Sequence, residues 1–104
     1  MITDEQAEKA ADYIRDHASQ FAQAKANRVQ LEHFRQSQLA ILFNSFDGGV
    51  AERENRARAH HDYIAVLNGI KAATEAEETL RWMMEAARLK IELWRTQSAN
   101  DRKG

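Results

Sequence analysis

From Asp62 onward, apolar residues recur at alternating spacings of three and four. Placing heptad position a at Tyr63, Ile70, Glu77, Met84, Ile91 and Ser98 puts d at Val66, Ala73, Leu80, Ala87 and Trp94 without a break. The pattern predicts a long helix over 62–98 with one continuous seam, followed by a polar tail, 99–104. Upstream, the pattern is looser: Ile14, Ala18 and Phe21, a polar middle QAKANRVQ (23–30), then Leu31, Phe34, Leu39, Leu42, Phe43 and Phe46. Thr3 and Gln6 have capping-box spacing, and Asp4 and Glu5 suit the first turn of a helix dipole. Nothing stops that helix before Asp47-Gly48-Gly49, so it is predicted over about 3–46, roughly 43 residues or ~65 Å at 1.5 Å per residue. Such a helix needs a partner along its length. Between the two, VAERENRARA is helix-prone but polar and reads as a connector over 50–60, with His60-His61-Asp62 as the junction.

Folding the long helices back antiparallel is the simplest way to cover both seams. With the turn centred in the connector, Ile14 faces Trp94, Phe21 faces Ala87, Phe34 faces Ala73 and Thr74, and Leu42 faces Val66. Large residues then meet small ones, as close packing requires. One neighbour is not enough for the second helix, because positions c and f, normally solvated, hold Trp82, Ala86, Leu89 and Leu93, with Met83 at g. The expected fold is therefore all-α: one domain, a helical hairpin with a short connecting helix, dimerising into a four-helix bundle. Trp82, Leu89 and Leu93 are the expected oligomer interface, in a homodimer or higher homo-oligomer.

Composition agrees with helix: among 104 residues there is no Pro and only four Gly, and a core this small favours a partner subunit. With no Cys there is neither a disulfide framework nor a thiol nucleophile, and a reducing cytosol is the default. Acidic and basic residues at 4, 5, 8 and 9 exclude a signal peptide there, and no apolar run is long enough for a membrane span. The expectation is a cytoplasmic protein with no membrane partner. Net charge is −1, which argues against bulk attraction to nucleic acid. The distribution is uneven, since residues 80–104 hold six bases and three acids.

Those bases form a pattern. Glu-x-x-Arg occurs as Glu78 to Arg81, Glu85 to Arg88 and Glu92 to Arg95, each seven residues after the last, and Arg102 continues the arginine series. One reading is a set of local ion pairs on the wet side of the helix, with Asp12 and Asp16 helping near Arg95. The other is that Arg81, Arg88, Arg95 and Arg102 present guanidinium forks to phosphates or to an acidic partner. These four are the candidate partner-binding residues. The neighbouring glutamates weigh against DNA.

Other chemistry is thin. His60, His61 and Asp62 lie together but should diverge on a helix, and no further ligand stands at a recognisable spacing, so no metal is expected. Glu77 puts a carboxylate in the seam, where Arg28 or Arg35 could meet it and set register. There is no nucleophile with a base at motif spacing, no phosphate loop and no H-E-x-x-H. No enzyme and no cofactor are expected.

The strings AQAKANRVQLEHFRQS (22–37), AERENRARAHHDYIAVLNG (51–69) and EETLRWMMEAARLKIELWRTQSAN (77–100) resemble a family of small helical proteins encoded by temperate phages and prophages of proteobacteria. That family often has Pro where this chain has His61. Its genes often lie near those of single-strand annealing recombinases and single-stranded DNA-binding proteins. The resemblance implies a role beside phage DNA recombination or replication. With the oligomer expected from the apolar c and f positions, the reading is a non-enzymatic accessory or adaptor protein that docks on a phage or host protein of DNA metabolism. Direct nucleic-acid binding through the arginines, and inhibition of a host defence or replication protein, are the alternatives.

Overall fold

The computed structural model describes residues 1–103, with the side chain of Lys103 left aside. Among them there are three helices and no strand: α1 Asp4–Ser45, α2 Val50–Ala59 and α3 His61–Lys103. The two long helices form the expected hairpin, joined through the short one. The predicted tail at 99–104 is corrected, because α3 runs on through Ser98 to Lys103. Nothing in TQSANDRK interrupts a helix, since it holds no Pro and no Gly until Gly104.

The start of α1 follows its capping box. Thr3 N–H donates to Gln6 Oε1 at 2.9 Å and Gln6 N–H to Thr3 Oγ1 at 3.1 Å, which satisfies two donors that a helix start leaves over. At the other end, Ser45 Oγ donates to the Leu42 carbonyl at 2.7 Å, and Arg53 Nε donates to the Phe43 carbonyl at 3.2 Å while its guanidinium lies 4.1 Å above the Phe43 ring. The chain then turns at Gly48, whose φ of 115° is the only positive one among the described residues. A Cβ there would lie 2.8 Å from Glu52 Oε2, which a flexible side chain can relieve, so it is the conformation that requires glycine.

The chain divides into two compact units. The unit Ala24–Ala76 has a core of Leu42, Ala57 and Tyr63, with Leu39 and Phe43 packed against it. Ala57 is fully buried, so the polar connector contributes one small apolar contact on its inner face. Leu31 also lies opposite Gly69, a large residue against the smallest.

The second unit joins Met1–Gln23 with α3 from Glu77. Ala7, Ala10 and Ala87 are its buried hydrophobic residues, and Glu77 is buried too. Here the expected pairing is corrected. Trp94 lies beside Asp4, Ala7 and Ala11 rather than Ile14, and Ala87 shares a groove with Ala10 and Tyr13 rather than Phe21. Ile2 N–H donates to Gln97 Oε1 at 3.0 Å in the same register. The slide is roughly ten residues, ~15 Å at 1.5 Å per residue. Its cause is the connector, which folds against the end of α1 instead of serving as a symmetric turn. Large still faces small, but with different partners.

Along α3 the heptad frame holds. Every a and d position from Tyr63 to Ser98 is buried or partly covered.

Candidate functional site

The residues singled out by sequence lie on three sides of α3 within one unit. Trp82, Ala86, Leu89 and Leu93 follow one another at spacings of four, three and four, so at 3.6 residues per turn they line one stripe, roughly opposite the a/d seam. All four are exposed, Trp82 at 65% and Leu93 at 56%, and Met83 beside them is exposed as well. Trp82 Nε1 donates to Glu78 Oε2 at 3.1 Å, which holds the indole along its own helix. A single apolar side chain at the surface is ordinary, but a helical run of them is a patch that water disfavours.

The arginine ladder is less regular than its spacing. Arg81 reaches both Glu77 at 3.4 Å and Glu78 at 3.5 Å. Arg88 is held between Glu85 and Glu92, the second at 2.6 Å. The guanidinium hydrogen bond keeps the Glu85 carboxyl below the usual glutamate range, and the same contact raises Arg88. Glu92 therefore serves the arginine one turn before it rather than Arg95. Asp12 and Asp16 do not help near Arg95, because both pair with Arg15 on their own helix. Arg95 and Arg102 are exposed and make no ion pair among the described residues. So the four predicted residues split into two that are neutralised within the chain and two that are not.

Grooves flank the seam of this unit on both sides. On the arginine side, Ile14, Phe21 and Met84 line a groove rimmed by Arg81, Glu85 and Arg88. Arg81 sits 6.0 Å from the Phe21 ring centroid, and Glu85 supplies the opposite charge at the rim. On the other side, Ala10, Tyr13, Met83, Ala86 and Ala87 line a groove of about 290 Å³ whose polar rim is Gln6, Lys9 and Lys90. No sequence pattern pointed to this second groove. Its lysines are 81 positions apart, and only the register of α1 on α3 brings them to one rim.

Glu77 is the largest fully buried side chain, with its carboxylate held by Arg81. No buried side-chain nitrogen or oxygen lacks a partner among the described residues, so this carboxylate is part of the packing.

In the other unit, His60, His61 and Asp62 do converge, with one ligand atom of each within 4.8 Å of the others. They were expected to diverge on a helix, but His60 lies outside both helices in an extended conformation (φ −69°, ψ 140°). Its Nδ1 accepts the Asp62 N–H at 3.0 Å and its carbonyl accepts the Ile64 N–H at 3.1 Å. His60 is thus the N-cap of α3, with an imidazole nitrogen in the place of the usual hydroxyl or carboxylate.

No helix among the described residues is long and apolar enough to cross a membrane. Compared with known proteins, the chain matches no family model, no curated protein and no solved structure.

Proposed function

We propose that the protein is a non-enzymatic helical adaptor that self-associates through α3 and acts by docking on another protein, in the setting of phage DNA recombination or replication. The observation that carries this reading is the exposed stripe of Trp82, Ala86, Leu89 and Leu93, opposite a seam already covered by α1. Burying it against a second copy removes apolar surface from water at about 25 cal/mol per Å², and a closed two-fold pair of hairpins is the simplest assembly that does so. The phage setting is supported by the resemblance of the three strings quoted above.

Direct binding of nucleic acid through the arginine strip is the second reading, favoured by one observation: Arg95 and Arg102 have no partner among the described residues. Arg81 and Arg88 are already engaged, which leaves two free cations in the series and makes a strong phosphate contact the weaker reading.

Sedimentation tests the first reading. The wild-type chain is expected to run as a dimer at micromolar concentration, and Leu89→Asp with Leu93→Asp to run as a helical monomer. A wild-type chain that stays a well-folded monomer would remove self-association from this reading. Binding to single-stranded DNA across a salt series separates the second reading, since phosphate contacts weaken steeply with salt.

A further inference from the structure

Positive charge at the rim of an apolar groove, weakly paired at Lys9 and unpaired among the described residues at Lys90, lies on the face away from the arginine ladder. We propose that the groove lined by Ala10, Tyr13, Met83 and Ala87 receives an acidic, amphipathic segment of a partner protein, with its carboxylates on Lys9 and Lys90. This names the partner chemistry within the docking reading above, and it uses a face that adjoins the self-association stripe and shares Ala86 with it.

The rim is one-sided in its chemistry. Lys90 makes no ion pair among the described residues. Lys9 pairs only with Glu5, at 3.2 Å, with both side chains about three-quarters exposed. Such a pair is weak, and exchanging Glu5 for another carboxylate costs little. Gln6 has its Oε1 committed to the Thr3 N–H at 2.9 Å, so its amide N–H groups are what it can offer the groove. Two ammonium groups and an amide donor stand at the rim with no acidic side chain among the lining residues. An anionic acceptor complements that set, and a cationic or neutral apolar occupant does not.

The floor suits a helix. Ala10, Ala86 and Ala87 are small enough for a third backbone to come close, while Tyr13 and Met83 stand on either side. Methionine adapts its shape to an incoming side chain. A volume of about 290 Å³, open along one side, is at the lower edge of small-molecule sites. It fits anchor side chains at i, i+3 and i+4 of an amphipathic segment better than a whole cofactor. A second copy seated groove to groove would set lysines against lysines across the two-fold axis, whereas the ladder's glutamates are already held by Arg81 and Arg88.

The test uses the full chain and a fluorescein-labelled synthetic peptide of about 14 residues, near the length at which an isolated helix is marginal, with Leu at i, i+3, i+4 and i+7 and Glu elsewhere. A matching peptide with Lys for Glu and an oligothymidine strand are the other probes. The acidic peptide is expected to bind. Binding should weaken at least about tenfold in Lys9→Glu with Lys90→Glu, a loss of ~1.4 kcal/mol or more, while Met83→Gln should weaken it independently. Circular dichroism should show all variants as helical as the wild type, and sedimentation should leave their self-association unchanged. Equal binding of both peptides, or of the acidic peptide to wild type and double variant alike, would overturn the proposal. So would loss of self-association in the double variant, which would make the groove an interface between copies. Binding of oligothymidine alone, lost in that variant, would reassign the lysines to phosphate. If self-association fails in the wild type while the acidic peptide binds, the groove stands without the dimer.

Discussion

Trp94 Nε1 donates to Asp4 Oδ1 at 2.7 Å, so the first residue of α1 is fastened to α3 by a bond spanning 90 positions. Trp82, twelve residues earlier on α3, spends its indole N–H on its own helix instead. Trp94→Phe keeps a ring beside Ala7 and Ala11 but removes the donor. It should cost ~0.5–1.5 kcal/mol in denaturant melts and speed amide exchange in the first turns of α1. An unchanged melt would show that water replaces the bond without loss.

Glycine in the interior of α3 is an opportunity at one position. A Cβ on Gly69 would meet Leu31 Cδ1 at 3.6 Å, an ordinary contact. Gly69→Ala should therefore stabilise by about 0.5–1 kcal/mol, through helix propensity and a less flexible unfolded chain. Gly48→Ala should do the reverse, by about 1–2 kcal/mol, because of its positive φ. Thermal melts of the two variants check both signs.

His60 caps α3 with Nδ1, so His60→Ala should lose ~0.5–2 kcal/mol and His60→Asn should recover part of it. The ring also lies 6.2 Å from Phe46, a contact asparagine cannot replace. If asparagine and alanine are equally destabilising, the ring contact rather than the cap accounts for the residue.

Ala57 is fully buried beside Leu42 and Tyr63. Ala57→Leu should overpack that cluster and cost ~1–3 kcal/mol in urea melts. A neutral result would mean that α2 can lift from the end of α1 without disturbing it.

Glu85 titrates low because Arg88 holds its carboxylate. Its folded pKa lies below the unfolded one, so its contribution is present above the ordinary glutamate range and fades as pH falls through the folded value. Both partners are exposed, so the effect on stability is small. The direct measurement is the NMR titration of Glu85, which should move up to the ordinary range in Arg88→Gln. A titration that stays low would place the cause outside the pair.

Sequence alone determined the helices, the capping box at Thr3 and Gln6, the turn at Gly48 and the seam of α3. It also showed that Trp82, Leu89 and Leu93 lie off that seam. All of these follow from propensity and a period of three and four, which act within a few residues. Tertiary structure alone decided which residues meet across the hairpin. Sliding one heptad-patterned helix along another by two or three turns still sets large residues against small ones, so the pattern does not discriminate among registers. The connector discriminated, by packing Ala57 against Leu42 and Tyr63. That register sets Trp94 on Asp4 and brings Lys9 and Lys90 to one groove. Charge partners were hidden for a similar reason: Glu92 stands within reach of arginines on either side of it, and the side-chain conformations of the folded helix give it to Arg88 and leave Arg95 to solvent.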